Sequence, residues 1–204
     1  TLAENKRAGA ARGKEYSMDK KLRETAETIL HSALRAVQPD AAVRRALENA
    51  AFPGRVCLVA VGKAAWQMAH AAYETLGERI SGGIVVTKYE HARGPIGPLR
   101  IREAGHPVAD ENSFAAAKEV LEMTAGLRAD DTVLFLVSGG GSALFELPLI
   151  EPAEQQEITR QLLACGADIV EMNTIRKRLS AVQGGRFAQH CSPAHVFSLV
   201  LSDM

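Results

Sequence analysis

The sequence predicts an α/β fold, with a mostly parallel sheet and helices on both faces. Three observations lead there. Short runs are apolar at consecutive positions, as in Val56-Cys57-Leu58-Val59-Ala60-Val61 and Val133-Leu134-Phe135-Leu136-Val137, the pattern of central strands covered on both sides. Longer stretches between them carry apolar residues at helical spacing. The two kinds of segment alternate, which defines βαβ units and hence a parallel sheet.

In chain order, Leu22, Ala26, Ile29, Leu30, Ala33, Leu34 and Val37 have helical spacing, and Pro39 ends that helix. Residues 1–17, with Lys6, Arg7, Arg12 and Lys14, are read as a disordered leader or tag, since no apolar segment follows to make a secretory signal. The α/β domain is placed at 18–204. Asp40 is a candidate cap for a second helix running to about Ala51, and Pro53-Gly54 turns the chain into the strand at Val56. Gly62-Lys63 leads into a helix from about Ala64 to Leu76, stopped by Gly77. Gly82-Gly83 precedes a short strand, Ile84 to Thr87, and a Gly- and Pro-rich loop reaches about Leu99-Arg100-Ile101. Asp110 caps a helix to about Thr124, ahead of the strand at Val133. Pro152 and Gly166 bracket the next helix, Asp168 and Glu171 have capping-box spacing for another, and Val196 to Leu201 is the last strand.

Equal numbers of acidic and basic residues give no net charge over 204 residues, so no global field draws the chain to nucleic acid or an anionic membrane. Three cysteines, Cys57, Cys165 and Cys191, form no Cys-x-x-Cys pair, which argues against a disulfide framework or a zinc site and fits a reducing cytoplasm. No apolar run approaches the roughly 18 residues of a membrane helix.

The strongest functional signal is Ser138-Gly139-Gly140-Gly141-Ser142, directly after the strand ending at Val137. Consecutive glycines add nothing to a core and suit a backbone that bends tightly or closely approaches something. Such a turn aims several N–H groups into one concavity, and a helix opening at Ser142 would add its positive end, so an anion cradle is expected; a flexible turn is the alternative. The loop does not match a dinucleotide G-x-G-x-x-G, which would need Gly where Leu144 stands, and no G-x-x-x-x-G-K-[ST] exists. Ligands in such sheets bind beyond the carboxyl ends of the strands, where Gly62-Lys63, Thr87-Lys88, the glycine loop and Ser202-Asp203 all fall.

Lys63 stands at that edge, able to neutralise phosphoryl oxygens or, with a depressed pKa, to take a proton; a solvated helix-start lysine is the alternative. Asn173, Arg176, Lys177 and Ser180 share a face of their helix opposite Met172, Ile175, Leu179 and Val182, offering donors to carboxylate or phosphate or forming a plain solvated face. His106, in Gly105-His106-Pro107, can donate to a ligand or titrate near neutrality, whereas His31 and His70 read as structural. Asp203 is a weak candidate for Mg²⁺.

Six segments together resemble the glycerate kinases of the class that carries a MOFRL domain. They are Val-Gly-Lys-Ala (61–64), Gly-His-Pro-Val-Ala-Asp-Glu-Asn-Ser (105–113), Leu-Val-Ser-Gly-Gly-Gly-Ser-Ala-Leu (136–144), Asn-Thr-Ile-Arg-Lys-Arg-Leu-Ser (173–180), Gly-Gly-Arg (184–186) and Leu-Ser-Asp (201–203). The resemblance implies a Rossmann-like sheet in the large domain of a two-domain enzyme, of which this chain holds a truncated N-terminal half. It implies transfer of the ATP γ-phosphate, with Mg²⁺, to the 2-hydroxyl of D-glycerate. Lys63 is then the catalytic candidate, and Ser138, Gly139, Gly140, Gly141, Ser142, His106, Asn173, Arg176 and Lys177 are candidates for substrate or nucleotide. Hydroxypyruvate reductase, a label relatives have carried, and a non-catalytic sugar-phosphate or nucleotide-binding domain are the alternatives. Nucleic acid and membrane are not expected as partners, and a homodimer is left open.

Overall fold

The computed structural model describes residues 2–202, with side chains from residue 19 onward. The chain divides into two units, Thr1–Gln38 and Pro39–Met204. The first is one helix, α1 (Leu2–Ala36), which starts well before the apolar spacing does.

The second unit is the α/β body. Its sheet has five strands in the order β3-β2-β1-β4-β5, each pair parallel: β1 (Val56–Val61), β2 (Ile80–Lys88), β3 (Leu99–Ala104), β4 (Thr132–Val137) and β5 (His195–Val200). All six residues of β1 are buried, as its unbroken apolar run requires. Alternate β1 residues enter two cores. Leu58 and Ala60 meet α2 (Pro39–Glu48) and α3 (Ala65–Leu76) on one face, through Val43, Leu47, Met68 and Ala72. Val59 and Val61 meet α4 (Glu111–Thr124), α5 (Gly141–Leu144) and α8 (Arg186–His190) on the other, through Ala117, Val120, Leu144 and Phe187. Each fully buried Val, Leu or Ile contributes about 1.5–3 kcal/mol, so these two layers dominate the stability of the unit.

Local chemistry accounts for the boundaries. Asp110 accepts from Ser113 N–H at 3.0 Å while the Ser113 hydroxyl reaches back to Asp110 N, a capping box that starts α4. Asp168 and Glu171 do the same for α7 (Ile169–Leu179). α6 (Pro152–Ala164) opens on its proline. Two expectations change. Asp40 lies inside the first turn of α2, where it accepts from Gln67 at 2.7 Å. Gly82-Gly83 is not a preface to β2 but part of it, because β1 passes so close that a Cβ on Gly83 would sit 2.2 Å from the Leu58 carbonyl oxygen. Among the described residues no helix is long and apolar enough to cross a membrane.

Candidate functional site

The strand order reverses between β1 and β4, which places a crevice at their carboxyl ends. Register brings those ends level, Val61 opposite Val137, so Gly62-Lys63 and the glycine loop leave the sheet side by side. Backbone bonds lock them together: Lys63 N–H donates to the Gly139 carbonyl at 2.9 Å and Ser138 N–H to Val61 at 2.9 Å. Gly62 takes φ +122°, and a Cβ there would lie 2.2 Å from Ser138 Oγ. That hydroxyl accepts from Ala64 N–H at 3.0 Å and is buried, so Ser138 fastens β4 to the start of α3 rather than facing a ligand.

The loop then turns through Gly140 at φ +86° into the short α5. The N–H groups of Gly141, Ala143 and Leu144 return to the carbonyls of Ser138 and Gly140. Among the described residues those of Gly139 and Gly140 have no backbone acceptor, which leaves them free for an anion. A Cβ on Gly140 would lie 2.8 Å from His106 Cδ2, 3.0 Å from its Nε2 and 3.3 Å from Lys63 Cε. Three chain segments distant in sequence thus converge on one glycine.

Other groups complete this side. Thr87 Oγ1 donates to the Gly62 carbonyl at 3.1 Å. After β2, His91 lies with Nδ1 3.1 Å from the Lys63 carbonyl oxygen, to which it donates. Burial, followed by the charges of Lys63, Lys88, Arg176 and His91, pushes the His106 imidazole below its ordinary value, so it is neutral near pH 7. The surroundings of Gly140 are cationic, with a neutral imidazole at their centre.

The other predicted residues separate across the loop. Arg176 is buried at 8% exposure, whereas Ile175 is 40% exposed. The inward face of α7 is therefore Met172, Arg176 and, at its C-cap, Ser180, not the stripe containing Ile175. The reason is local: Leu149 N–H bonds the Leu179 carbonyl and Ala181 N–H bonds Leu147, both at 2.8 Å, which fixes the helix rotation against the segment after α5. Arg176 lines a small cavity with Glu146 and Gln155. Asn173 and Lys177 instead line a cavity of about 320 Å³ with Gly141, Ser142 and Phe187. Asp203 lies outside the described residues.

Sequence reasoning did not place His91 or Glu146 in the site, and it named Lys88 only by its position after a strand. His91 has no signal beyond its turn. Glu146 had one, a single acid between Phe145 and Leu147 in an apolar run. Among the described residues no three His, Cys, Asp or Glu side chains group to hold a metal ion.

A doubly wound parallel sheet with a glycine-lined crevice at its switch point defines an α/β protein of the nucleotide-fold type. The chain belongs to the family described as Domain of unknown function (DUF4147), whose model matches residues 25–204. It is 54% identical over 185 residues to a D-glycerate 2-kinase of Thermotoga maritima, covering 90% of this chain and 44% of that one. A protein of Agrobacterium vitis named putative hydroxypyruvate reductase is 39% identical over 188 residues, covering 91% and 42%. The crystal structure of a glycerate kinase from Thermotoga maritima superposes with TM-score 0.83 at 53% identity, over 91% of this chain and 45% of that one. The chain spans less than half the length of the relatives it matches.

Proposed function

We propose that this chain supplies the substrate-binding wall of an ATP-dependent glycerate 2-kinase, acting in the cytoplasm on D-glycerate. The observation that carries the reading is the convergence of Lys63 and His106 on Gly140 beside unbonded N–H groups, in a chain 54% identical to a D-glycerate 2-kinase. Phosphoryl transfer breaks the bond from the γ-phosphorus to the ADP oxygen as the bond to the glycerate 2-oxygen forms. Its demand is positioning and charge compensation. The Lys63 ammonium and the Gly139 and Gly140 N–H groups suit the phosphoryl oxygens. His106, neutral at working pH, is able to accept the hydroxyl proton. Arg176 supplies positive potential for the glycerate carboxylate, and Lys177 and Ser142 face the neighbouring cavity, open to the nucleotide. The cationic cradle suits phosphate oxygens, and among the described residues no group of three His, Cys, Asp or Glu side chains forms a metal site; Mg²⁺ would enter with ATP, as kinase chemistry of this class requires.

The test is ADP release with D-glycerate, measured on this chain and on a longer version carrying the rest of the length its relatives have. Lys63→Met in the active version is expected to lower turnover by about 10²–10³-fold; a near-native rate removes Lys63 from the chemistry, and ADP release from neither version overturns the kinase reading. Hydroxypyruvate reduction is the second reading, favoured by the name of the Agrobacterium vitis relative. Leu144, where a dinucleotide fingerprint needs glycine, is fully buried in the core, which counts against it. NADH oxidation by hydroxypyruvate without ATP would establish it.

A further inference from the structure

Glu146 is 1% exposed, a cost that a carboxylate bears only with partners. It lies two residues after the end of α5, just beyond the glycine loop. Its Oε2 accepts from Gln183 Nε2 at 2.5 Å, and the same amide donates to the Ser142 carbonyl at 2.8 Å. The carboxylate is thereby tied through one side chain to the loop that forms the cradle. Its Oε1 has no hydrogen-bond partner, nor has Oε1 of Gln155 on α6. Both residues line a cavity of about 10 Å³ together with Arg176 of α7. Two unsatisfied acceptors and a buried guanidinium on one cavity are complementary: the arginine has only donors and the oxygens only lone pairs.

The remaining neighbours agree. Burial pushes the Glu146 carboxyl above its ordinary value, while Ser180, Gln155, Arg176 and the Leu147 backbone favour the charged form. Burial also lowers the Arg176 pKa, opposed by Glu146. An Arg176 without this counter-charge loses the group that opposes its desolvation, and its charge acts on His106.

We propose that Glu146 is a positioning residue of the anion cradle: it holds the Arg176 side chain in the cavity the two share and, through Gln183, fixes the Ser142 end of the glycine loop. The proposal rests on the kinase reading for the identity of the anion, but its geometry does not.

The test combines ligand binding with a ligand-free readout. By calorimetry with D-glycerate and with inorganic phosphate, Glu146→Gln, which preserves shape, is expected to weaken binding about tenfold. In an Arg176→Ala background the same change is expected to add less than about twofold, because its effect runs through the arginine. Unchanged binding in Glu146→Gln, or losses that multiply, overturns the proposal; a merely structural role lowers the thermal midpoint without the coupling. The His106 titration, followed by NMR without ligand, asks the same question. Release of Arg176 in Glu146→Gln raises the imidazole pKa, and the rise vanishes in the Arg176→Ala background. No shift, or a fall from simple loss of a negative charge, overturns it. If the native chain binds neither probe, the NMR titration alone decides, and the kinase reading is left to the ADP-release assay on the longer version. Should Glu146→Gln fail to fold, Gln183→Ala cuts only the link to Ser142 and is expected to weaken phosphate binding about threefold; unchanged binding removes that link.

Discussion

Gly140 carries most of the site's geometry in one residue. Its φ of +86° lies in the region that L side chains rarely adopt, and the place where a Cβ would stand is within 3.0 Å of two His106 ring atoms. A methyl group therefore meets both backbone strain and a ring it must displace. Gly140→Ala is expected to weaken phosphate or D-glycerate binding by about tenfold or more while leaving the helical circular dichroism signal in place; native affinity would show that the cradle lies elsewhere. The glycine run stands out in the sequence as a candidate site because three adjacent glycines after a buried strand add nothing to a core. The rotation of α7 was not. Arg176 and Lys177 are adjacent in sequence and equally basic, yet one is buried and the other exposed, since two backbone bonds to Leu147 and Leu149 decide which way the helix faces.

Between elements, the junction of β1 and β4 is held at its opposite end by an ion pair. Buried Asp131 accepts from Arg55 Nη2 at 2.7 Å and from Arg128 N–H at 2.9 Å, just before β4, while Arg55 lies just before β1. The Arg55 guanidinium beside it holds this carboxyl well below the usual carboxylate range. A carboxylate whose folded pKa is depressed contributes stability above its unfolded pKa of about 3.9 and loses it as pH falls through the folded value. Asp131→Asn is expected to lower the melting temperature at pH 7, with the gap to the native chain narrowing as pH drops below about 4. A constant gap would mean that the residue acts through packing alone. Helix starts were legible at this scale, since Asp110 and Asp168 announce their caps within a few residues. The extent of β2 was not, because Gly82-Gly83 reads as a break until the strand beside it shows why only glycine fits at position 83.

For the α/β unit taken whole, stability is concentrated at the centre of the sheet. β1 is buried at every position, whereas α6 buries only Gln155 and Thr159 and α7 only Met172 and Arg176 along their lengths. Native-state hydrogen exchange is expected to find β1 and β4 amides slowest and α6 and α7 amides fastest among the helices of this unit. Uniform protection would contradict that gradient. Lys63 and the glycine loop thus stand on the most buried strands, while Arg176 stands on a helix that buries few of its residues.

The sequence by itself determined the fold class and the order of strands and helices, and it singled out the glycine loop as a candidate site, because periodicity, capping residues and glycine clusters are local consequences of backbone sterics and burial. Only the tertiary structure decided which distant residues meet. The strand order 3-2-1-4-5 brings the ends of β1, β2, β3 and β4 to one edge. That arrangement sets His106 and Lys63 against Gly140, commits Ser138 to the backbone, and separates Arg176 from Lys177. It also encloses Glu146, an acid whose neighbours in sequence are apolar and whose partners come from other elements. Such contacts depend on strand pairing and helix rotation, which no run of neighbouring residues encodes.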